Sequence, residues 1–286
     1  MRPYQWTKNL IIFAALMFSK RILDPAYLLL CVKGFLVFCF LSGSVYLFND
    51  VMDRQKDRLH PKKKKRPIAS GKIIPSEALA AAFIIAGFSV FSAFRLSFEF
   101  GLSAAFYLTL VFAYSIVIKR IVILDVLAIA IGFVARAVAG GLLIKVEISD
   151  WLLIVTIFLA LFLGFSKRRS ELINLDKNAG VTRPILDLYS VTLLDQLISI
   201  TAGATLMSYA LYTLAEQTIR KFGNNLWLTL PIVVYIVFRY FYLVYSLGQG
   251  SDPSRMLLKD RPLLIGVLVW VAAAFLLVYH AALFGR

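Results

Sequence analysis

The sequence predicts an all-α polytopic membrane protein, about nine transmembrane helices forming a single domain over residues 1–286. Three observations carry this expectation. Of the 286 residues, 60% are hydrophobic and 16% charged, with a mean hydropathy of +0.80, more apolar surface than a soluble domain of this length can hide. The apolar residues are gathered into runs that approach or exceed the ~20 residues needed to cross a bilayer. Lysine and arginine, finally, fall unevenly between the connections of alternate sides.

The runs lie at 10–19, 26–48, 76–94, 101–118, 122–144, 151–166, 195–215, 226–247 and 263–284. Each reads as a helix, because backbone groups in lipid must be satisfied within their own segment. Residues 10–19 and 151–166 are short, which calls for tilt or extension by polar residues. The basic start MRPYQWTKNL before a short apolar run resembles a signal peptide. No small-residue cleavage site follows at a suitable distance and further spans do, so the segment reads as retained. Cys31 and Cys39 share one run and suggest packing residues rather than a disulfide or metal framework.

Orientation follows from the cations. With the N-terminus inside, the inner connections hold Arg2 and Lys8, nine cations from Arg54 to Lys72, Lys119 and Arg120, five from Lys167 to Arg183, and three from Arg255 to Arg261. The outer ones hold Lys20, Arg21, Arg95, Lys145, Arg220, Lys221 and Arg286, and Lys33, Arg136 and Arg239 fall within spans. The positive-inside rule therefore turns the informative loops toward the cytoplasm; the expected location, the cytoplasmic membrane of a bacterium, goes with the resemblance given below. A net charge of +15 suits nucleic acid in principle, but these charges sit in short loops and form no basic domain. No nucleic-acid partner is expected, and the oligomeric state stays open.

The stretch from Asn49 to Gly71, NDVMDRQKDRLHPKKKKRPIASG, sets acids beside cations. If the preceding helix continues through Asp57, then with Asn49 at zero, Asp53 lies at roughly 40°, Asp57 at roughly 80°, Asp50 at roughly 100° and Tyr46 at roughly 60°. One face then carries the oxygens of Asn49, Asp50, Asp53 and Asp57. Hard cations such as Mg²⁺ take such oxygens, through one or two carboxylates plus the phosphates of a substrate. The plain alternative is a solvated helix end whose acids pair with Arg54, Lys56 and Arg58. His60, Lys62, Lys63, Lys64, Lys65 and Arg66 follow between Pro61 and Pro67, a loop suited to fold over a phosphorylated substrate or to meet lipid headgroups. Lys63, Lys64 and Arg66 are its preferred binding members.

Three further connections share this side. YSIVIKRIVILD brings Tyr114 and Lys119 and ends at Asp125, which opens a span with Ala128, Gly132, Arg136 and Ala139 near one face. Arg136 is eleven residues beyond Asp125, ~16 Å deep along a helix. An intramembrane arginine is a functional candidate by default, or else it pairs with a neighbouring acid or carbonyl; Arg239 raises the same question. Lys167, Arg168 and Arg169, with Glu171, are read as cations at a helix C-terminus, there for topology or for phosphate. Asp260, Arg261 and Pro262 read as a turn at a helix start. With His60 and His280 the only histidines, a histidine pair is not expected in catalysis.

These residues resemble the UbiA superfamily of intramembrane transferases, whose hallmark N-D-x-x-D-x-x-x-D is matched in full by Asn49, Asp50, Asp53 and Asp57. Within it the resemblance is to the decaprenyl-phosphate phosphoribosyltransferase branch, through RPYQWTKN, YLFNDVMDRQKDRLHPKKKKRPIASG, YSIVIKR, GFVARAVAG, KRRSEL and DPSRMLLKDRPL. The superfamily's aromatic prenyltransferases usually carry a second aspartate-rich motif after the sixth span. KRRSELINLDKN stands there instead, with Glu171 and Asp176 but no paired aspartates. The resemblance implies Mg²⁺-dependent transfer of 5-phosphoribose from phosphoribosyl diphosphate to a polyprenyl phosphate, serving arabinose-donor lipid synthesis for a cell envelope. It implies Asn49, Asp50, Asp53 and Asp57 as metal ligands, with the three aspartates catalytic. Phosphates would be held by Lys8, Lys63, Lys64, Arg66, Lys119, Lys167 and Arg168, and Tyr46, Tyr114 and Arg136 would complete the substrate pocket. The competing expectations are a prenyl diphosphate donor with an aromatic or glycerol-based acceptor, and a transporter with midplane charges.

Overall fold

The structure is a computed structural model that describes residues 3–59, 63–175 and 184–284. Arg2, His60, Lys62, Asp176, Lys177, Arg183 and Arg286 lie outside the described residues. The described residues form twelve α-helices joined by turns and short 3₁₀ segments. They are α1 (Ile12–Phe18), α2 (Pro25–Met52), α3 (Arg54–Leu59), α4 (Pro75–Leu96), α5 (Phe98–Ile116), α6 (Leu124–Ile144), α7 (Asp150–Leu175), α8 (Val191–Leu214), α9 (Glu216–Phe222), α10 (Leu230–Tyr245), α11 (Pro253–Lys259) and α12 (Arg261–Phe284).

Eight helices among the described residues are long and apolar enough to cross a membrane, and the chain is an integral membrane protein. The short first run forms α1 behind a 3₁₀ segment, Pro3–Ile11, and is not among the eight. The other short run grows instead. α7 continues for 26 residues, because its cations and Glu171 extend the helix past the apolar stretch.

Local chemistry marks the helix starts. Asp24, Ser97, Ser190, Asp252 and Asp260 each accept a hydrogen bond from a backbone N–H of the first turn, at 2.9, 3.1, 3.1, 3.3 and 2.8 Å. Pro25 and Pro253 follow two of these caps, where a missing N–H costs nothing. Asp260 thus caps α12 as its sequence context predicts. It also receives both ends of the Arg239 guanidinium, at 3.1 and 2.7 Å, which settles Arg239 as a tie between α10 and α12. That hydrogen bonding holds the Asp260 carboxyl below the usual carboxylate range.

The helices succeed one another as neighbours from α2 through α4, α5, α6, α7 and α8, with α10 and α12 packed together beyond. One apolar core joins Phe38, Leu41, Phe100 and Tyr107 on α2 and α5; another joins Phe162, Phe165, Ile198 and Leu243 on α7, α8 and α10. The ring closes at the end opposite the acid motif. The Tyr279 hydroxyl of α12 accepts from the Ile22 N–H at 3.0 Å and donates to the Met17 carbonyl at 3.2 Å. Buried Cys31 and Cys39 are free thiols, the packing role expected of them.

α1 presses on α6 at a glycine. A Cβ on Gly140 would stand 2.2 Å from the Ile12 carbonyl oxygen, a backbone atom that cannot swing aside. Gly140→Ala is therefore expected to destabilise the fold by about 1–3 kcal/mol, as overpacking does. The check is a lowered thermal midpoint of the detergent-solubilised protein.

Candidate active site at one end of the helices

α2 delivers the acid motif. It ends at Asp53, which leaves helical geometry (φ −91°, ψ 7°) while its N–H still reaches the Asn49 carbonyl at 2.9 Å. The chain resumes at once as α3, with the Asp57 N–H on the Asp53 carbonyl at 2.8 Å. The break spans a single residue, so the expected arc survives in part. Asp50 and Asp57 share one partner, Arg66 Nη1, at 3.0 and 2.5 Å. Asp53 faces Lys119 Nζ at 3.6 Å.

The two cations come from separate loops. Arg66 follows the 3₁₀ turn Lys63–Lys65, and its place is fixed by backbone bonds to Lys63 and from Ser70, at 2.9 and 2.8 Å. Ile68 and Ala69 are buried, Arg58 Nε bonds the Ala69 carbonyl at 3.1 Å, and Gly71 turns the chain at φ +83°. Lys119 sits in the 3₁₀ turn Ile118–Arg120 that closes α5. Lys63 is half-buried beside this group, whereas Lys64 is exposed. Lys8 and Tyr46, both half-buried, come from the first 3₁₀ segment and from α2, Tyr46 four residues before Asp50.

The acids differ in exposure. The Asp53 side chain is 36% exposed and that of Asp50 15%, but Asp57 only 4%. Asp57 is thus set apart from the other ligand candidates, beneath Arg66. Among the described residues no group of three or more His, Cys, Asp or Glu side chains stands ready as a metal cage. Mg²⁺ needs less, since one or two carboxylates and substrate phosphates suffice. The hard oxygens of Asn49, Asp50 and Asp53 fit that chemistry.

Three consecutive cations, of which Lys167 and Arg168 are expected at the phosphates, diverge, because α7 runs on past them and successive residues point about 100° apart. Lys167 stays near the surface, 3.8 Å from Glu171. Arg169 turns to α8, paired with Asp195 and stacked 4.1 Å over the Tyr245 ring. Arg168 is corrected outright: it is 1% exposed, and Nε, Nη1 and Nη2 reach Asp125 (2.6 Å), Glu171 (2.7 Å) and the Tyr114 hydroxyl (3.1 Å). Buried among these partners it is held away from a phosphate, and Tyr114 goes with it as a structural partner.

Asp125 gathers this network. Its other oxygen accepts from the Tyr189 hydroxyl at 2.7 Å, which itself accepts from the Ile123 N–H at 2.7 Å. Ile123 has φ +69°, a costly conformation for a β-branched residue, tolerated where surrounding contacts fix it. Burial, and then the bond to Asp125, push the Tyr189 phenol above the usual tyrosine range. The same turn carries Lys119, so this buried cluster sets where Lys119 stands. Sequence reading named Asp125 without its partners; the available signal was a lone acid at the head of an apolar span, which demands a cation.

Arg136 is likewise corrected from pocket lining to packing. It is 6% exposed and donates to Asn9 Oδ1 (2.8 Å), the Gly132 carbonyl (2.8 Å) and the Tyr107 hydroxyl (2.5 Å), against the Tyr107 and Phe133 rings. Asn9, which sequence reading missed, joins it to Ser42 of α2 at 3.3 Å. This is the alternative foreseen for a buried arginine, with a carbonyl among its acceptors.

Fold and site define a class: an integral membrane protein with an acid motif at the same end of the helix ring as its basic loops. The profile of the UbiA prenyltransferase family matches residues 10–259. The decaprenyl-phosphate phosphoribosyltransferase of Corynebacterium glutamicum is 29% identical, over 99% of this chain and 87% of its own. That of Mycolicibacterium smegmatis is 29% identical over 98% and 92%. In fold, the chain resembles a UbiA homolog from Archaeoglobus fulgidus bound to DMAPP and Mg²⁺, with a TM-score of 0.74, 22% identity, and 97% and 96% of the two chains covered. The chain belongs to the UbiA prenyltransferase family, a family of membrane transferases.

Proposed function

We propose that the protein transfers 5-phosphoribose from phosphoribosyl diphosphate to a polyprenyl phosphate at the cytoplasmic face of a bacterial membrane, in the formation of an arabinose-donor lipid. The observation that carries this reading is the replacement of a second acid motif by cations: α7 offers Lys167 where paired aspartates would serve a second metal, and Arg66 and Lys119 already stand among the acids of the first. A site so rich in cations suits a donor with phosphates at both ends better than a prenyl diphosphate with an apolar tail. The names of the two actinobacterial relatives agree with it.

Asn49, Asp50 and Asp53 would hold Mg²⁺, which when bound neutralises the leaving diphosphate. Arg66 and Lys119 would carry phosphate charge at the site's centre, with Lys63, Lys64, Lys167 and Lys8 around it and Tyr46 along the pocket wall. The bond from the anomeric carbon to the diphosphate oxygen breaks, its electron pair leaves with diphosphate, and a lipid phosphate oxygen bonds to that carbon. A phosphate monoester has its second pKa near ~6, so the nucleophile is largely ionised at neutral pH and needs no strong base.

The test is purified protein with polyprenyl phosphate, Mg²⁺ and radiolabelled phosphoribosyl diphosphate, following label into the lipid phase. Metal-dependent incorporation is expected. No incorporation, with diphosphate released from a prenyl diphosphate instead, would replace this reading by prenyl transfer. In the same assay Lys119→Ala is expected to raise the donor KM or lower kcat by about 10-fold or more, as loss of a charge-assisted contact does; an unchanged profile would remove Lys119 from the site.

A further inference from the structure

We propose that Asp57 and Arg66 form a standing ion pair that serves as the site's own counter-ion. Arg66 screens Asp50 when no metal is bound, and turns to the donor's diphosphate when Asp50 passes to the metal, so that metal and diphosphate bind well only together. This rests on the use of the acid motif for a metal and a diphosphate.

Four features lead to it. Arg66 contacts both acids through Nη1, and among the described residues its Nε and Nη2 make no hydrogen bond. A guanidinium is a planar fork, able to keep one edge on a carboxylate while the other meets a phosphate. The two contacts are unequal: the Asp57 side chain is 4% exposed and 2.5 Å away, the Asp50 side chain 15% exposed and 3.0 Å away. Breaking a pair whose acid is buried costs more than breaking its more exposed neighbour, so Arg66 keeps Asp57 and yields Asp50.

The loop need not move for this exchange. Buried Ile68 and Ala69 and the Arg58 bond to the Ala69 carbonyl hold its backbone, while the Arg66 side chain remains 26% exposed. Charge then dictates the coupling. Asp50, Asp53 and Asp57 are already met by Arg66 and Lys119. A divalent cation alone must compete with Arg66 for Asp50, and a diphosphate alone meets an Arg66 whose charge is already shared between two carboxylates. Arriving together they exchange partners: Asp50 passes to the metal and Arg66 turns its charge to the diphosphate. Asp57 is accordingly a positioning residue that acts through Arg66, not a metal ligand.

Equilibrium dialysis of radiolabelled inorganic diphosphate against the full-length protein in detergent, with and without Mn²⁺, measures this coupling. For the unaltered protein Mn²⁺ is expected to tighten diphosphate at least ~10-fold, within the usual range for linked sites. Arg66→Gln is expected to weaken diphosphate more with Mn²⁺ present than without it, and so to cut the Mn²⁺ effect below ~3-fold. An Arg66 that is always available to phosphate would instead weaken binding equally in both conditions, and that result would overturn the proposal. Adding Asp57→Asn to Arg66→Gln should change nothing more; a further loss of the Mn²⁺ effect would make Asp57 a ligand and also overturn it. Should the Gln variant lose its thermal transition, Arg66→Lys decides, because a single ammonium cannot hold Asp57 and diphosphate as a fork does and the coupling falls; undiminished coupling would defeat the idea. Strong coupling without label transfer from phosphoribosyl diphosphate would defeat the donor assignment alone.

Discussion

Asp53→Asn is expected to lower label transfer about 1000-fold while the protein stays folded. A divalent cation at a leaving phosphate stabilises the transition state by several kcal/mol, and about 4 kcal/mol corresponds to three decades in rate. Asp53 is the most exposed of the three aspartates, and it stands at the helix break where the chain turns away from its neighbours. Its ion pair with Lys119, at 3.6 Å and partly exposed, contributes about 0–1 kcal/mol to the fold. The variant should therefore keep a thermal midpoint within a few degrees of the parent protein. Near-normal turnover would remove Asp53 from the metal site, whereas loss of the folded state would show that the residue is structural.

Asp125→Ala reverses that pattern. Asp125 is fully buried and its partner Arg168 1% exposed, so removing the acid leaves a buried guanidinium with Glu171 and the Tyr114 hydroxyl alone. Breaking a buried pair from one side costs about 3–5 kcal/mol, and a large drop in thermal midpoint is expected. Replacing both partners, Asp125→Ala with Arg168→Met, should recover much of it, because the charge and its unmet need vanish together. If the double variant is as unstable as the single one, the loss lies in packing around Asp125 and not in the charge. Transfer activity should fall in the single variant as well, since the turn that carries Lys119 depends on Tyr189 and Asp125.

The helical class and the place of the acid motif were both legible, for a common physical reason. A run of ~20 apolar residues has few alternatives in lipid, and acids at fixed spacing on a helix end have only one side to face. Residues 10–19 show how a short run is completed: the 3₁₀ segment Pro3–Ile11 leads into α1, which packs inside the ring against Gly140. Lys167, Arg168 and Arg169 show the limit of this reasoning. Consecutive cations look alike in sequence, but helical rotation sends one to the surface, one to the core and one to a neighbouring helix. Which one goes inward depends on Asp125, 43 residues away in the chain, and no local pattern records that.

The Tyr279 hydroxyl has a consequence for how the protein is made. It joins α12 to backbone groups in the last turn of α1 and just before α2, across 262 and 257 residues of chain. A nascent chain inserts its spans in order, so Ile22 and Met17 enter the membrane long before their partner is synthesised. Until α12 arrives, the Ile22 N–H lacks its protein partner, and the Met17 carbonyl has the Lys20 N–H, at 3.3 Å, but not the hydroxyl. The ring of helices can therefore close only after α12 is released from the ribosome. A ribosome stalled before residue 261 would leave an open arc, with the first turn still waiting for the hydroxyl that completes it.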